Sequence, residues 1–344
     1  MTPVPKRISI VDVAREAGVA ISSVSAALNG GPGVSEATRA RVRETADRMG
    51  WVPSVRGRSL SSKRTRALGL VVQRQPGVLE ADPFFAGFIG GVESVLESAG
   101  YALLLQIGRS AAAGADRLRR LALSGAVDGV FLTDVSVEDP RYALLDHLQL
   151  PAVAVNAPGS VWVSSVTQDH RSGLSALMEH LIALGHRDIA HVAGTPGLVH
   201  SEERESVWRC VLESHGLPLG PVITGDFTTE AGARAADALL GGSRVPTAVV
   251  CANDLMAIGF LSRAKALGVG VPDDVSVTGF DGVLLGAHVH PPLTTVMTLP
   301  GALGTRAAEV LLASVDGGPR VDETIAPAVV VDRASVAPPR VRMA

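Results

Sequence analysis

Cysteine is scarce in this chain, since Cys210 and Cys251 are the only two among 344 residues. Two cysteines do not make a disulfide framework, so we expect both to be core residues in a reducing compartment. No stretch of about 20 apolar residues suggests a membrane span, and no long apolar run follows the first basic residues as it would in a signal peptide. We therefore expect a cytoplasmic protein without a membrane partner.

The sequence also lacks the common motifs of enzyme active sites. It contains no G-x-S-x-G, no Walker loop and no G-x-G-x-x-G. The nine histidines are scattered: His186 and His191 span a predicted helix end and strand start, and His288 and His290 lie close to a proline pair. Solvated or capping histidine is commoner than metal-binding histidine. We therefore expect no catalytic residue, no metal site and no cofactor.

Charge is unevenly distributed, although the net charge is only -3. Residues 1–66 carry twelve Lys or Arg and five Asp or Glu, a net charge of +7; the remainder carries 19 basic and 29 acidic residues, a net charge of -10. A basic segment on an acidic body indicates a polyanionic partner for that segment. On charge alone, the alternative is that the segment is a solvated tail without such a partner.

Short helices are predicted in the basic segment. Ser9 and Asp12 fit a capping box, and Gly18 ends the helix that they begin. Ser35 is a typical N-cap, and Gly50 stands where a C-terminal glycine is expected. The predicted helices cover about Ile10–Ala17, Ala20–Leu28 and Ser35–Met49.

The first two helices are joined at Gly18 in the manner of a helix-turn-helix. Their predicted inward positions are Val13, Ala14, Ala17, Val19, Val24 and Ala27. The remaining face of the second helix presents Ile21, Ser22, Ser25 and Ala26, none of which is charged or aromatic. A small three-helix cap without a nucleic-acid role is the alternative.

From residue 67 onward, apolar runs of 5–7 residues alternate with amphipathic segments of 12–16 residues. This β-α alternation predicts parallel sheets flanked by helices. The alternation is too long for a single sheet, so we expect two Rossmann-like lobes with a cleft between them. Ligands of such sheets bind at the carboxyl ends of the strands.

Several motifs then resemble the LacI/GalR family of bacterial repressors. In the basic segment they are DVA-x-x-AGV (12–19), VS (24–25), LN (28–29), VSxxTR (34–39) and P-S-x-x-G-R-S-L (53–60). In the body they are "DPFFAGFIGGVESVLESAGYALLL", "GHRDIAHVAG", "GDFTTEAGARAA", "CANDLMAIGFL", "DVSVTGFD" and "PPLTTV". The resemblance covers nearly the whole chain. It implies an N-terminal all-α helix-turn-helix headpiece and an α/β, two-lobe, periplasmic-binding-protein-like body with parallel sheets.

For DNA, the resemblance implies that the second helix enters the major groove. It places Ile21, Ser22 and Ala26 at base-reading positions and Ser25 and Asn29 at phosphates. A hinge helix around 54–61 would insert Leu60 into the minor groove.

Two departures from the family pattern occur. Ala26 stands where a long polar residue is common, and Gly57 stands where alanine is common in the hinge. Ile21 and Ala26 can pack on thymine methyls, and Ser22 can bond several base edges. We therefore expect modest direct readout, with affinity coming from phosphate contacts such as those of Arg56 and Arg58 and from the kink.

For the body, the resemblance implies an effector site between the lobes. Its predicted residues are Phe85 and Asn156 from the first lobe, Arg204, Phe227, Asn253 and Asp281 from the second, and His200 one turn before Arg204. These types suit a hydroxylated, sugar-like effector or a related metabolite.

Other roles for these residues stay open. Arg204 could pair with Glu202 or Glu203 at the surface, and Asn253 could cap a helix. Asp281 could belong to a turn with Gly282, and the two phenylalanines could be core residues.

The predicted domains are a helix-turn-helix domain (1–52), a hinge (53–66) and a body (67–344). The first lobe is expected at 67–163 and 298–325, and the second at 164–297 and 326–340. By analogy with the family, we expect a homodimer that binds a pseudo-palindromic double-stranded operator and uses the helix 84–96 as its interface.

Two alternative functions are a transport-type sugar-binding protein and an enzyme of sugar or nucleoside metabolism. The first does not explain residues 1–62, and the second lacks catalytic residues.

Overall fold

A computed structural model describes residues 8–28, 31–51, 64–73, 82–108, 111–242 and 244–340. The chain divides into two compact units, Met1–Arg66 and Ala67–Ala344. Each unit has its own hydrophobic core. The first unit is all-helical in its described part, and the second is α/β.

The first unit contains α1 (Ile10–Ala17), α2 (Ile21–Leu28) and α3 (Glu36–Arg48). The Asp12 carboxylate accepts hydrogen bonds from Ser9 N at 2.9 Å and Ser9 Oγ at 2.6 Å. Ser35 Oγ accepts from Thr38 N at 3.3 Å at the start of α3. Gly18 has φ of +65°, a left-handed conformation that ends α1 and that glycine adopts at little cost. The predicted helices are confirmed to within two residues.

The three helices close over a small core. Its buried members are Val13, Ala14, Ala17, Val24, Ala27, Val42 and Ala46. Five of the six predicted inward positions are fully buried there, and Val19 packs against the cluster in part. Small alanines at the crossing let short helices approach closely enough to bury valines from each of them.

The second unit contains two six-stranded sheets. The first sheet has the order β11-β5-β4-β3-β1-β2 and the second β12-β10-β9-β8-β6-β7. The first sheet's strands are β1 (Ala67–Val72), β2 (Ala102–Ile107), β3 (Gly129–Leu132), β4 (Ala152–Val155), β5 (Ser164–Gln168) and β11 (Asp322–Ile325). The second sheet's strands are β6 (Ile189–Ala193), β7 (Val222–Thr224), β8 (Ala248–Cys251), β9 (Ser276–Asp281), β10 (Thr294–Met297) and β12 (Val329–Val331). The strands pair in parallel as predicted, except that β12 is antiparallel to β10.

Helices cover both faces of each sheet. The first sheet carries α4 (Pro83–Ala99), α5 (Ala111–Leu123), α6 (Arg141–Leu148) and α11 (Pro300–Val315); the second carries α7 (His170–Ala183), α8 (Val199–Ser214), α9 (Thr229–Leu240) and α10 (Asp254–Ala266). Along β1, Leu68 and Leu70 join one core cluster and Val71 joins the other. Burial on both faces explains why these strands are continuous apolar runs. Among the described helices, none is long and apolar enough to cross a membrane.

Two expectations are wrong in detail. The second lobe was expected to begin at residue 164, but β5 pairs in parallel with β4 and β11 of the first sheet, so the chain crosses over after Gln168. Only Val166 is strongly apolar in "SSVTQ", so the strand carries no apolar run. Cys251 is buried as expected, but Cys210 is exposed on α8, on a different face from the buried Trp208 two residues earlier.

Candidate functional site

The outer face of α2 in the first unit is the candidate DNA-binding surface. Ile21 and Ser22 are exposed, and the Ile21 side chain is 48% accessible although it is apolar. Ser25 and Ala26 are half-buried beside them. The buried residues of α2, Val24 and Ala27, point to the opposite side. Of the three predicted base-reading residues, Ile21 and Ser22 are therefore left exposed by the packing, and Ala26 is covered in part.

Arg39 on α3 has a role that sequence reasoning missed. Its Nη1 donates to Ala26 O at 3.2 Å and Ala27 O at 3.0 Å, and its Nη2 donates to Gly31 O at 3.2 Å. The carbonyls of Ala26 and Ala27 lie in the last turn of α2, where helical carbonyls lack partners along the helix, and Gly31 follows the helix. A guanidinium there satisfies them and suits the negative end of the helix dipole. Arg39 thus fixes the end of α2 against α3.

Four predicted DNA-binding residues, Asn29, Arg56, Arg58 and Leu60, lie outside the described residues. Their roles stay predictions.

A cavity in the second unit lies at the carboxyl ends of strands from both sheets. It encloses about 590 Å³, part of it open to solvent. Its lining residues are Asp82, Phe84, Thr133, Asp134, Val155, Asn156, Gln168, His170, His200, Arg204, Phe227, Asn253, Asp281, Thr298 and Pro300. Six of the seven predicted effector residues are among them, with Phe85 as the exception. The position agrees with the rule that parallel sheets bind ligands at this edge.

Arg204 forms the charged centre of this cavity with Asp281. Its Nη2 lies 3.6 Å from Asp281 Oδ1, and its Nη1 donates to Ala252 O. The guanidinium carbon is 3.9 Å from the centre of the Phe280 ring, a cation–π distance. Arg204 is only 7% exposed. A surface pair with Glu202 or Glu203 is therefore not its role.

The oxygen and the nitrogen of the Asn253 side-chain amide both form hydrogen bonds within the protein. Oδ1 accepts from Met256 N at 2.9 Å and caps α10, and Nδ2 donates to Phe227 O at 3.0 Å. The capping role that sequence reasoning left open is thus present, and the residue also holds the backbone of Phe227. The Phe227 ring lies so close to Gly194 that a Cβ there would be 2.0 Å from it. Gly194 makes room for this aromatic wall.

Asn156 and Gln168 connect two strand ends of the first sheet. Asn156 Oδ1 accepts from Gln168 N at 2.9 Å, and Gln168 Oε1 accepts from Leu299 N at 2.9 Å. Asn156 adopts a left-handed φ of +51°, which asparagine tolerates better than most residues. Both side-chain oxygens are thus held by backbone N–H groups.

Phe85 does not line the cavity, and the prediction for it is wrong. It is 1% exposed and belongs to the core between α4 and the first sheet. Its neighbour Phe84 lines the cavity instead and stacks on Phe88, with ring centres 5.8 Å apart. Successive residues of a helix point about 100° apart, so the pair "FF" cannot place both rings in the cleft.

Two histidines complete the cavity wall. His200 lies against the Phe227 ring, with ring centres 5.3 Å apart, as expected from its place one turn before Arg204. Burial, with the positive charges of Arg204 and His200, lowers the pKa of His170 well below its usual value. His170 is therefore neutral at pH 7 and can donate or accept a hydrogen bond.

Two residues of the cavity lining each carry an enclosed polar atom that has no partner among the described residues. Within the described residues, Thr133 Oγ1 and Gln168 Nε2 have no hydrogen-bond partner, although the two residues are 2% and 4% exposed. Such atoms usually find a partner in folded proteins. Sequence reasoning missed both residues because a single Thr or Gln at a strand end carries no motif.

A buried ion pair supports the loop behind Thr133 and Asp134. Arg141 Nε donates to both carboxylate oxygens of Asp139 at 2.9 and 3.1 Å, and Nη2 donates to Asp139 at 2.6 Å and to the carbonyls of Thr133 and Asp134 at 3.1 Å each. Burial raises the pKa of Asp139, but Arg141 and nearby N–H donors outweigh it and keep this pKa below its usual value. The carboxylate is charged at pH 7.

The same loop joins the two lobes. Ser136 and Leu198 form an antiparallel bridge, in which Val137 N donates to Gly197 O and Val199 N donates to Val135 O, both at 2.9 Å. These bonds hold the first turn of α8, the helix that carries His200 and Arg204, against the first lobe.

A helix-turn-helix unit on one chain with a two-lobed α/β body and a polar cleft defines the class of ligand-responsive transcriptional regulators. Comparison with known proteins gives the family. Residues 9–54 match "Bacterial regulatory proteins, lacI family", and residues 178–336 match "Periplasmic binding protein-like domain". This chain belongs to the lacI family of bacterial regulatory proteins.

Relatives match along most of the chain. It is 34% identical to the HTH-type transcriptional regulator CelR of Thermobifida fusca, over 91% of this chain and 93% of that protein. It is 33% identical to the HTH-type transcriptional repressor PurR of Vibrio parahaemolyticus, over 88% of this chain and 91% of that protein.

Two solved structures of regulators are similar to this chain along most of its length. A CelR–cellobiose complex has a TM-score of 0.72 at 32% identity, and a lac repressor dimer bound to operator and the anti-inducer ONPF has a TM-score of 0.84 at 26% identity. Each covers 96% of this chain and all of the other chain. The relatives are transcriptional regulators, not enzymes.

Proposed function

We propose that this protein is a transcriptional repressor that binds a pseudo-palindromic operator as a homodimer in the bacterial cytoplasm. A neutral, sugar-like effector in the cleft controls the binding. The observation that carries the effector class is the cavity itself, in which aromatic walls face buried carboxylates, amides and an arginine. Sugars present apolar ring faces and edges of hydroxyl groups, and this lining offers a partner for each.

The charge of the lining favours a neutral effector. Asp82, Asp134 and Asp281 bring three carboxylates, against one guanidinium from Arg204 and a neutral His170. A phosphate or carboxylate ligand would meet repulsion at low dielectric, whereas a hydroxyl can donate to a carboxylate and accept from the arginine. We infer that Arg204 and Asp281 bind neighbouring hydroxyls, and that Asn156 and His200 add further hydrogen bonds.

Aromatic residues and Asn253 have different roles in this proposal. Phe227, and Phe84 in place of Phe85, cover apolar faces of the effector. Asn253 acts by holding the Phe227 backbone in place, because both sides of its amide are already engaged.

For DNA, we propose that α2 reads the major groove with Ile21, Ser22 and Ala26 and that Ser25 binds phosphate. An exposed isoleucine and a small alanine suit thymine methyls, and a serine hydroxyl can serve as donor or acceptor to a base edge. None of the three makes a bidentate contact, so shape and phosphate contacts carry much of the affinity.

The sequence-based assignments for the remaining DNA contacts stand as part of the proposal. Asn29, Arg56 and Arg58 contact the backbone, and Leu60 wedges into the minor groove. Arg56→Ala and Arg58→Ala should each weaken binding and reduce the slope of log K against log[salt] by roughly 0.9. An unchanged slope in both variants would contradict this assignment.

The proposed function is tested in two steps. Random duplexes are first selected for binding to the full-length protein, and the selected duplex is expected to be pseudo-palindromic. A thermal-shift screen over neutral sugars, sugar phosphates and nucleobases follows; an effector at ~100 times its Kd adds roughly 2.7 kcal/mol of stability. The hit should change the affinity for the selected duplex. A nucleobase or sugar phosphate as the sole hit would overturn the effector class, and light scattering that shows a tetramer would overturn the dimer.

A further inference from the structure

An antiparallel bridge joins the two lobes of the second unit. It pairs residues 135–137, in the loop after β3 of the first sheet, with residues 197–199, in the loop after β6 of the second. Two main-chain hydrogen bonds of 2.9 Å form it, one donated from each lobe. We call this contact the lobe bridge.

The chain itself passes between the lobes at another side of the cleft. It crosses after β5, after β10 and after β11. β5 and β11 are the last two strands at one edge of the first sheet, and β10 and β12 are the last two at one edge of the second. Since β3 and β6 lie three and four strands in from those edges, at about 4.8 Å per strand, the lobe bridge is roughly 14–19 Å from the crossovers. A rotation of one lobe about the crossovers therefore has to break the lobe bridge.

We propose that the lobe bridge is a latch, which holds the lobes together beside the cavity when no effector is bound and opens before an effector enters or leaves. This inference rests on the proposed function, because the cavity is an effector site only under that proposal.

Each half of the lobe bridge is held in place from within its own lobe. In the first lobe, Ser136 N donates to Asp139 at 3.0 Å, and the Asp139 carboxylate is itself fixed by Arg141 at 2.6 Å. In the second lobe, Gly197 N donates to Glu202 Oε1 at 2.9 Å. Because both loops are already ordered, the two bonds between them form at a small cost in conformational entropy.

The lobe bridge lies directly beside residues of the cavity. Thr133 and Asp134 precede it on the first lobe, and His200 and Arg204 follow it on the second; all four line the cavity. When the lobes separate at the bridge, these two pairs of residues move apart and the cavity opens between them. An effector that contacts both pairs would hold the latch closed.

Val199→Pro tests the latch, because it removes one donor of the lobe bridge and preserves the helix that follows. Val199 is the first residue of α8, a position that accepts proline, and α4 and α11 already begin with Pro83 and Pro300. Leu198 is extended, with φ of −84° and ψ of 131°, as residues before proline usually are. Val199→Ala is the matched control, since it shortens the side chain and keeps the N–H group.

Distances between two spin labels report the arrangement of the lobes in the full-length protein without effector. One label is attached to the exposed Cys210 of α8 and the other to Asp146→Cys, at an exposed position of α6, while Cys251 is buried. Labelled protein is diluted with unlabelled protein, so that only distances within one chain are measured.

A locked reference comes from Ser136→Cys combined with Leu198→Cys, oxidised before labelling. The two bonds of the lobe bridge flank this pair, so its Cα atoms are expected about 4.5 Å apart, within the range of a disulfide.

We expect the unsubstituted protein and Val199→Ala to give the same single distance as the locked reference. Val199→Pro should add a second, longer distance, because the loss of one net hydrogen bond shifts the ratio of open to latched protein by up to about tenfold. Glu202→Ala, which leaves the loop at Gly197 without its anchor, should add the same distance to a smaller extent and tests the latch even if Val199→Pro fails to fold.

A single distance equal to that of the locked reference in both Val199→Pro and Glu202→Ala would overturn the latch. So would a second distance that is as abundant in the unsubstituted protein as in these variants. For a neutral sugar found by the thermal-shift screen, stopped-flow association should be up to about tenfold faster with Val199→Pro than with Val199→Ala, and equal rates would overturn the role of the latch in effector entry. Binding of no sugar would overturn the proposed function, whereas the spin-label distances would still decide whether the bridge holds the lobes.

Discussion

The buried pair Asp139–Arg141 is expected to control both the stability of the body and the shape of its cleft. Arg141 is 2% exposed and Asp139 7%, and the guanidinium also holds the carbonyls of Thr133 and Asp134. Asp139 in turn accepts from Ser136 N at 3.0 Å, next to the bridge between the lobes. Arg141→Met keeps a side chain of similar length and removes the guanidinium donors, while the backbone N–H groups of residues 136 and 141 still donate to Asp139.

The magnitude follows from what the substitution leaves behind. Removing one partner of a buried ion pair costs about 3–5 kcal/mol, because the remaining charge is buried and uncompensated. Adding Asp139→Asn to Arg141→Met removes that charge, so the double variant should recover a good part of the loss. A double variant as unstable as Arg141→Met would mean that the carbonyl bonds, and not the ion pair, carry the effect.

Urea unfolding of the full-length protein, followed by fluorescence of the buried Trp208, measures the change. The pKa of Asp139 is held below its unfolded value, so the pair contributes its full stability above that unfolded value and loses it as the pH falls through the folded pKa. In Arg141→Met, burial raises the pKa of Asp139 without the guanidinium to oppose it, so protonation relieves the buried charge and the stability gap to the unsubstituted protein should narrow as the pH falls. A loss of less than about 1 kcal/mol at pH 7 would refute the reasoning, because it would fall short of the cost of an unpaired buried carboxylate.

Three further predictions concern other parts of the molecule. Arg39→Ala removes the donors at the end of α2 and should lower operator affinity in a fluorescence-anisotropy titration while effector affinity stays unchanged. His191 is buried, and burial lowers its pKa to about 4. The neutral side chain therefore contributes to stability above pH 6.5, and this contribution is lost as the pH falls toward 4. His191→Phe keeps the stacking on Trp208, so the stability measured by urea unfolding should decline less over that pH range. Asn253→Ala removes the cap of α10 and the bond to Phe227 O, and should cost about 1–3 kcal/mol in unfolding and weaken effector binding in calorimetry.

The first unit was predictable because its signals are local. A capping box, a glycine in the left-handed region and a serine N-cap each act within a few residues of the chain, so the sequence displays them directly. Arg39 escaped prediction for the opposite reason. Its three acceptors lie 8 to 13 residues away, and no spacing rule connects an arginine of one helix with the carbonyls of another.

In the second unit, the apolar strands were predictable and the polar ones were not. Strands buried on both faces are visible as apolar runs, whereas β5 has only Val166 as a large apolar residue and β7 lies at the edge of its sheet. This matters for the site, because β5 ends in Gln168, which lines the cavity.

The helix α8 connects the cavity with the contact between the two lobes. Its first residue, Val199, is bonded to the first lobe through Val135 O, and the same end of the helix carries His200 and Arg204, which line the cavity. Arg204 in turn contacts Asp281, at the end of a strand of the second sheet. An effector that binds Arg204 would therefore act on a helix whose first turn is held by the opposite lobe, and a shift of that helix would work against the bonds at 135–137. Those bonds depend on a loop that Asp139 and Arg141 hold in place, which is why an ion pair outside the cavity lining is expected to change effector affinity.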